Sequence, residues 1–197
     1  AEQLRQASPA DTAPVQDWAG VVRQVALDLS ALVGERLLDF SLDMPVHPVP
    51  VHAHEWALRE LVRNLLHNAI KHSPPQAPLA VILHTDGAWA VLTIRDHGPG
   101  ISAALRPHLF QPFVREAGLT GQGGPGSADP ATGHAQANTG MAAGAGLGLS
   151  ICHGLVLALG GGLSLDNRPD HRSGAGRVEG LDTVVRLPWV PPDTARD

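Results

Sequence analysis

The chain has 197 residues, of which 43% are hydrophobic, with a formal net charge of −5 and one cysteine, Cys152. That length fits one domain, or one domain with a short appendage. A binder that neutralises nucleic-acid phosphates is usually basic, a disulfide framework or a Cys-based zinc finger needs several cysteines, and a bilayer span needs roughly 18 apolar residues in a run, so these classes are disfavoured.

Gly and Pro together make 39 of the 197 residues, high for a packed domain but short of the roughly 25–30% of wholesale disorder. Three Phe, four Trp and no Tyr leave the core to Leu, Val, Ile and Ala. Beside 13 arginines stands one lysine, Lys71, an imbalance that marks it as a candidate functional cation. The chain starts at Ala1 without an initiator methionine or leader and reads as a piece of a longer protein.

Residues 1–14 are polar and read as a linker or the frayed end of a preceding helix. The apolar spacing from Trp18 to Arg36 predicts an amphipathic helix. Leu37–Met44 alternates, with Leu38, Phe40, Leu42 and Met44 on one side, and predicts a half-buried strand. The Pro45–Val51 stretch turns the chain. Glu55–His72 returns to helical spacing and stops at Ser73-Pro74-Pro75. Leu79–His84 and Ala88–Arg95 flank Asp86-Gly87, a strong hairpin signal. A glycine-broken stretch, Asp96–Ile101, precedes a short helix near Ser102–Leu105. Residues 117–143 are so rich in Gly and Ala that they cannot bury enough apolar surface to fix themselves, which predicts mobility. An apolar helix follows at Leu149–Leu159, ended by Gly160–Gly162, and then strands at Leu163–Asp166 and Thr183–Leu187. This order predicts an α/β two-layer sandwich: a mixed, mainly antiparallel sheet with about three helices on one face.

Three constellations carry chemistry. On the 60–74 helix, Glu60, Asn64, Asn68 and Lys71/His72 recur at spacings of three and four and share one face. Asparagine prefers caps and turns, so two of them inside a helix mark either a solvated face or one turned toward a polar ligand. An amide oxygen is a hard donor for Mg²⁺, and a lysine is a point charge for phosphate. Asp96-His97-Gly98-Pro99-Gly100 follows a strand. An ionised carboxylate only accepts hydrogen bonds, so at a pocket floor it selects an exocyclic amine such as that of adenine; a plain turn is the alternative. Gly144-Ala145-Gly146-Leu147-Gly148 opens a helix whose N-terminal N–H groups favour an anion, unless it is simply a flexible loop end. Walker, Rossmann and nucleophile-elbow patterns are missing. The histidines His47, His52 and His54 offer a weaker candidate for Zn²⁺.

The order E-x-x-x-N-x-x-x-N-A, D-x-G-x-G, Leu109-Phe110-Gln111-Pro112-Phe113 and G-x-G-L-G-L resembles the catalytic ATP-binding domain of bacterial two-component sensor histidine kinases. Their superfamily includes gyrase, mismatch-repair ATPases and the large heat-shock chaperone. The likeness spans about residues 15–190 and implies the Bergerat-type fold, with 1–14 as the end of a dimerisation helix or linker and 191–197 as a tail. It implies ATP as substrate and Mg²⁺ as its metal. Asn68 then holds the Mg²⁺, Asn64 lines the same site, Lys71 and His72 reach the phosphates, and Asn64, Asn68 and Lys71 form the catalytic set. Asp96, Gly98, Gly100 and Ile101 shape the base pocket. Phe110 and Phe113 anchor a lid over about 102–146, with core packing as the other reading. Gly144, Gly146, Leu147 and Gly148 meet the phosphates.

The resemblance further implies a partner dimerisation and phosphoacceptor domain, a response regulator reached through it, a monomeric cytoplasmic fragment, and a parent anchored in the inner membrane. Nucleic acid and direct membrane contact are not expected. The hydrolytic relatives carry Glu where Asn64 stands, which ranks a gyrase-like ATPase low. Two departures stand out. Gly180 is followed by Leu181 where the family usually has Gly-Thr, the one feature in favour of a non-catalytic nucleotide-binding module. No histidine lies in the phosphoacceptor motif.

Overall fold

The computed structural model describes residues 13–111, 148–169 and 178–191. Asp17 closes the short strand β1 (Val15–Asp17) and caps α1 (Trp18–Asp28), accepting from Ala19 N and Gly20 N at 3.1 Å each. The same carboxylate accepts from Val49 N at 2.9 Å, tying the helix start to the chain entering β3 (Pro50–His52). Such a cap contributes about 1 kcal/mol. The single helix expected over 18–36 is broken at Leu29 into α1 and α2 (Ser30–Glu35). No side chain caps the second piece, and its last turn presents Gly34, a weak helix former.

Strand β2 (Asp39–Asp43) lies where alternation placed it. Helix α3 (Glu55–His72) has the predicted bounds. Leu58, Leu61, Leu65 and Ala69 are buried along it, each leucine contributing about 1.5–3 kcal/mol by transfer from water. Ser73 ends it, its Oγ donating to Ala69 O at 2.7 Å, and Pro74 and Pro75 prevent continuation. The hairpin β4 (Pro78–Asp86) and β5 (Trp89–Arg95) turns at Gly87, whose φ of +57° suits glycine. The short helix expected near 102–105 is instead a turn followed by one 3-10 turn, Arg106–His108. Helix α4 (Gly148–Ala158) leads to β6 (Gly162–Pro169) and β7 (Val178–Pro188), both longer than the alternation marked.

Five strands form one sheet in the order β2-β4-β5-β7-β6, and β1 and β3 make a separate antiparallel pair. Only β2 and β4 are parallel in the larger sheet, and the connection between them carries α3. Directly opposed residues share a face of a sheet. The row Leu83–Leu92–Val185–Leu163 and the row Val81–Ile94–Thr183–Leu165 therefore mark one face. Most of that face is buried in one cluster with Trp18, Val22, Leu58, Leu61, Leu66, Cys152 and Val156 from α1, α3 and α4. The expected two-layer sandwich is thus present, with α1, α3 and α4 supplying the helical side of the core and the short α2 as a further helix among the described residues. None of those helices is long and apolar enough to cross a membrane.

Candidate nucleotide site

The site is built along the C-terminal half of α3. Its apolar stripe anchors the helix on the sheet, which leaves Asn64 and Asn68 half-buried and Glu60, Lys71 and His72 exposed on the opposite side. Asn64 Nδ2 donates to Glu60 Oε1 at 2.6 Å and to Glu60 O at 2.9 Å. That orients the amide so that Oδ1 faces away from Glu60. A Cβ on Gly148 would stand 3.5 Å from Asn64 Oδ1 and 3.8 Å from Asn68 Nδ2. The two asparagines and the N-terminal end of α4, 84 and 80 residues apart in the chain, therefore meet.

About four residues farther along α3, or about 6 Å, His72 turns its carbonyl toward Gly98. A side chain at Gly98 would put its Cβ 2.9 Å from that oxygen and 3.1 Å from Asp96 Oδ1, so the loop can lie this close only without one. Asp96 follows the end of β5 and is 4% exposed. Its Oδ1 accepts from Gly98 N at 2.8 Å and from Leu181 N at 3.3 Å. Burial raises the carboxyl above the usual carboxylate range, opposed by those two N–H groups and by the charges of Arg168 and His72. His97 Nδ1 donates to Pro78 O at 2.8 Å. Gly100 has a φ of +71°, and Ile101 is buried beside it.

The predicted residues thus fall into two groups joined by one helix: Asn64, Asn68 and Gly148 at one end, and Asp96, Gly98, Gly100 and Ile101 at the other. Lys71 and His72 lie between them in sequence. Phe113, Gly144, Gly146 and Leu147 lie outside the described residues, as does the expected lid from 112 onward. Phe110 is described; its ring stacks on His153 of α4 with centroids 4.2 Å apart and planes 11° apart. Among the described residues no group of three His, Cys, Asp or Glu is placed to hold a metal, and His52 is engaged with Ala13 O at 3.1 Å.

The Gly-Leu departure has a physical reading. A Cβ at Gly180 would overlap the Asp96 carbonyl oxygen, so glycine is required there. Leu181 serves through its main chain: its N–H reaches Asp96 Oδ1 and its carbonyl accepts from Asp96 N at 3.0 Å. Main-chain groups are the same for any non-proline residue. Sequence reasoning also missed Asn167 and Arg168, which reach the loop from β6. An Asn-Arg-Pro-Asp run reads locally as a turn, so no signal pointed to them.

The family described as histidine kinase-, DNA gyrase B- and HSP90-like ATPase matches residues 53–193. The chain belongs to that ATP-binding family. It is 31% identical over 140 residues to the adaptive-response sensory kinase SasA of Microcystis aeruginosa, covering 71% of this chain and 31% of SasA. The solved mycobacterial sensor histidine kinase MprB superposes with a TM-score of 0.66 at 27% identity, covering 92% of this chain and 100% of that one. Full-length ShkA in complex with AMPPNP shares the fold, with a TM-score of 0.64 at 22% identity over 91% of this chain and 31% of that one. The chain spans a third or less of curated relatives such as SasA, the transport sensor DctB of Pseudomonas aeruginosa and TcrY of Mycobacterium tuberculosis: 31%, 20% and 27% of their lengths.

Proposed function

We propose that this chain, over about residues 15–190, is the ATP-binding kinase part of a sensor histidine kinase. It presents the γ-phosphate of Mg·ATP to a histidine on a dimerisation domain outside this sequence, for relay to a response-regulator aspartate. Asp96, with Gly98, Gly100 and Ile101, receives the adenine. Asn64, Asn68, Lys71, His72 and Gly148 take the triphosphate side, with Gly144, Gly146 and Leu147 assigned there by the family pattern and Phe113 assigned to nucleotide binding through the lid it anchors.

The observation that supports this most is the meeting of the Asn64 and Asn68 amides with the start of α4, while a buried carboxylate stands at the far end of the same α3 face. Those amides fit Mg²⁺: it keeps several waters and binds through few protein oxygens plus substrate phosphates. Bound there, the metal would neutralise phosphate charge. Position 64 is an amide, not a carboxylate, so that side chain cannot act as a base toward water, and an imidazole acceptor is itself nucleophilic. The chain's part is positioning and charge stabilisation.

Titration of the chain with a Mg·ATP analogue by calorimetry should give one site that weakens when Mg²⁺ is chelated. No heat at millimolar nucleotide would overturn the reading. Labelled ATP with the parent's phosphoacceptor domain supplied in trans should label a histidine. Binding without transfer would instead support a non-catalytic module.

A further inference from the structure

The loop between Asp96 and Ile101 is gripped from the end of β6, by residues that neither its own motif nor the family pattern assigns. Asn167 Nδ2 donates to Ile101 O at 2.8 Å, and Ile101 N donates to Asn167 Oδ1 at 2.8 Å. One side chain therefore satisfies both main-chain groups of Ile101, as a neighbouring strand would. Next to it, Arg168 Nη2 donates to Asp96 O at 2.6 Å.

Arg168 is itself held. Its Nε lies 3.2 Å from Asp182 Oδ1, an ion pair rather than an aligned hydrogen bond. Asp182 in turn accepts from Arg95 Nε and Nη2 at 2.9 and 2.8 Å. The β6–β7 register shifts between Arg168 and Pro169, and such irregularities re-aim side chains at a strand end. Between the two grips, a Cβ on Gly100 would lie 2.7 Å from Asn167 Oδ1 and 2.6 Å from Val178 Cγ1. The loop is pressed directly onto the Asn167 amide.

We propose that Asn167 and Arg168 are positioning residues of the base pocket, which fix the Asp96–Ile101 loop before nucleotide arrives and so set discrimination between adenine and guanine. The inference rests on the nucleotide reading above and deepens it. Adenine offers Asp96 an N–H donor from its exocyclic amine, whereas guanine places a carbonyl oxygen at the same ring position. A carboxylate separates the two only if it cannot swing away from that oxygen. A loop tied at both ends has already lost the freedom that a loose loop would lose on binding.

The test compares the 197-residue chain with Asn167→Ala, Arg168→Ala and Arg168→Lys, each titrated with Mg²⁺ and adenylyl or guanylyl imidodiphosphate, with thermal melting as the check on folding. Asn167→Ala and Arg168→Ala should each weaken adenine-nucleotide binding by about tenfold, a loss of about 1.4 kcal/mol. Guanine-nucleotide binding should change little, so the preference for adenine shrinks. Arg168→Lys retains a cationic donor for Asp96 O and should keep most of the preference. A merely structural role would lower the melting temperature and weaken both nucleotides alike. Folded variants with an unchanged adenine-to-guanine ratio overturn the proposal and leave the ATP reading standing. If Asn167→Ala does not fold, the two Arg168 variants decide the matter through a separate contact. A parent chain that binds neither nucleotide overturns the nucleotide reading itself.

Discussion

Around Asp96 the chain is held from several directions: Gly98 and Leu181 on the carboxylate, Arg168 on the carbonyl, Asn167 on Ile101 and Pro78 on His97. Around Asn64 and Asn68 the polar groups stand half-buried on one helix face, and Asn64 is oriented from within the same helix, by Glu60. The Asp96 end, proposed above for the base, is therefore shaped by long-range main-chain contacts. The Asn64–Asn68 end, proposed for the phosphates, is shaped by placing one face of α3 against the start of α4. A flat, neutral ring needs a preformed slot. A flexible, charged triphosphate needs donors within reach, which a helix face and a helix N-terminus supply without such enclosure.

Breaking the phosphate end should have the largest effect. Asn68→Ala removes the amide oxygen assigned to Mg²⁺ and should cost about 100-fold or more in Mg-dependent nucleotide affinity, the upper range for losses of metal-site groups. Calorimetry with and without Mg²⁺ checks it, and binding of plain adenosine should survive.

Breaking the base end comes next. Asp96→Asn should cost about 10–100-fold in adenine-nucleotide affinity, the equivalent of about 1.5–3 kcal/mol for a charged hydrogen bond. The same change should leave the melting temperature at pH 7 equal or higher, because burial penalises the native carboxylate. The two ends thus separate function from stability. The sign follows from the raised Asp96 pKa. Stability from this group is whole below the unfolded-state pKa and is lost as pH rises through the higher folded value. Nucleotide binding runs oppositely, since it needs the ionised acceptor. On acidification, adenine affinity should start to fall at a higher pH than an ordinary carboxylate would give, and Asp96→Asn should flatten that part of the profile.

Gly98→Ala sharpens the contrast more gently. Its Cβ, 2.9 Å from His72 O, must push the loop off the end of α3. A loss of about tenfold in adenine affinity is expected, with little change in the dependence on Mg²⁺, since a small shift in a positioned group can cost that much or more. The smallest effect should come from outside both ends. Arg59 pairs with Asp28 at 2.7 Å on an exposed α1–α3 surface. Arg59→Ala should change stability by less than about 1 kcal/mol and leave nucleotide affinity unchanged, as melting and calorimetry can show.

The phosphate end was the more legible of the two in the sequence. Asn64, Asn68 and Lys71 lie at helical spacing inside one element, and helix periodicity puts them on one face without knowledge of the rest of the fold. Asp96 and its glycines were visible as a motif, but their supports were not. Asn167 and Arg168 meet the loop across 66 and 72 residues of chain. The separate β1–β3 pair was also invisible, since three-residue strands carry no period to read. The break at Leu29 escaped because the apolar stripe runs on through it.

By itself the sequence determined the local order. It set α3 with its two asparagines and proline stop, the Asp86-Gly87 hairpin, the apolar helix α4, and the order of motifs that marks the family. Backbone preference and side-chain periodicity act over a few residues, so these can be read in place. That β6 and β7 close over the Asp96 loop, that Gly180 is required by a neighbouring carbonyl, and that Leu181 serves through its backbone emerge only from the three-dimensional pairing. Those outcomes depend on which distant segments share a sheet edge, and no short-range preference encodes that pairing.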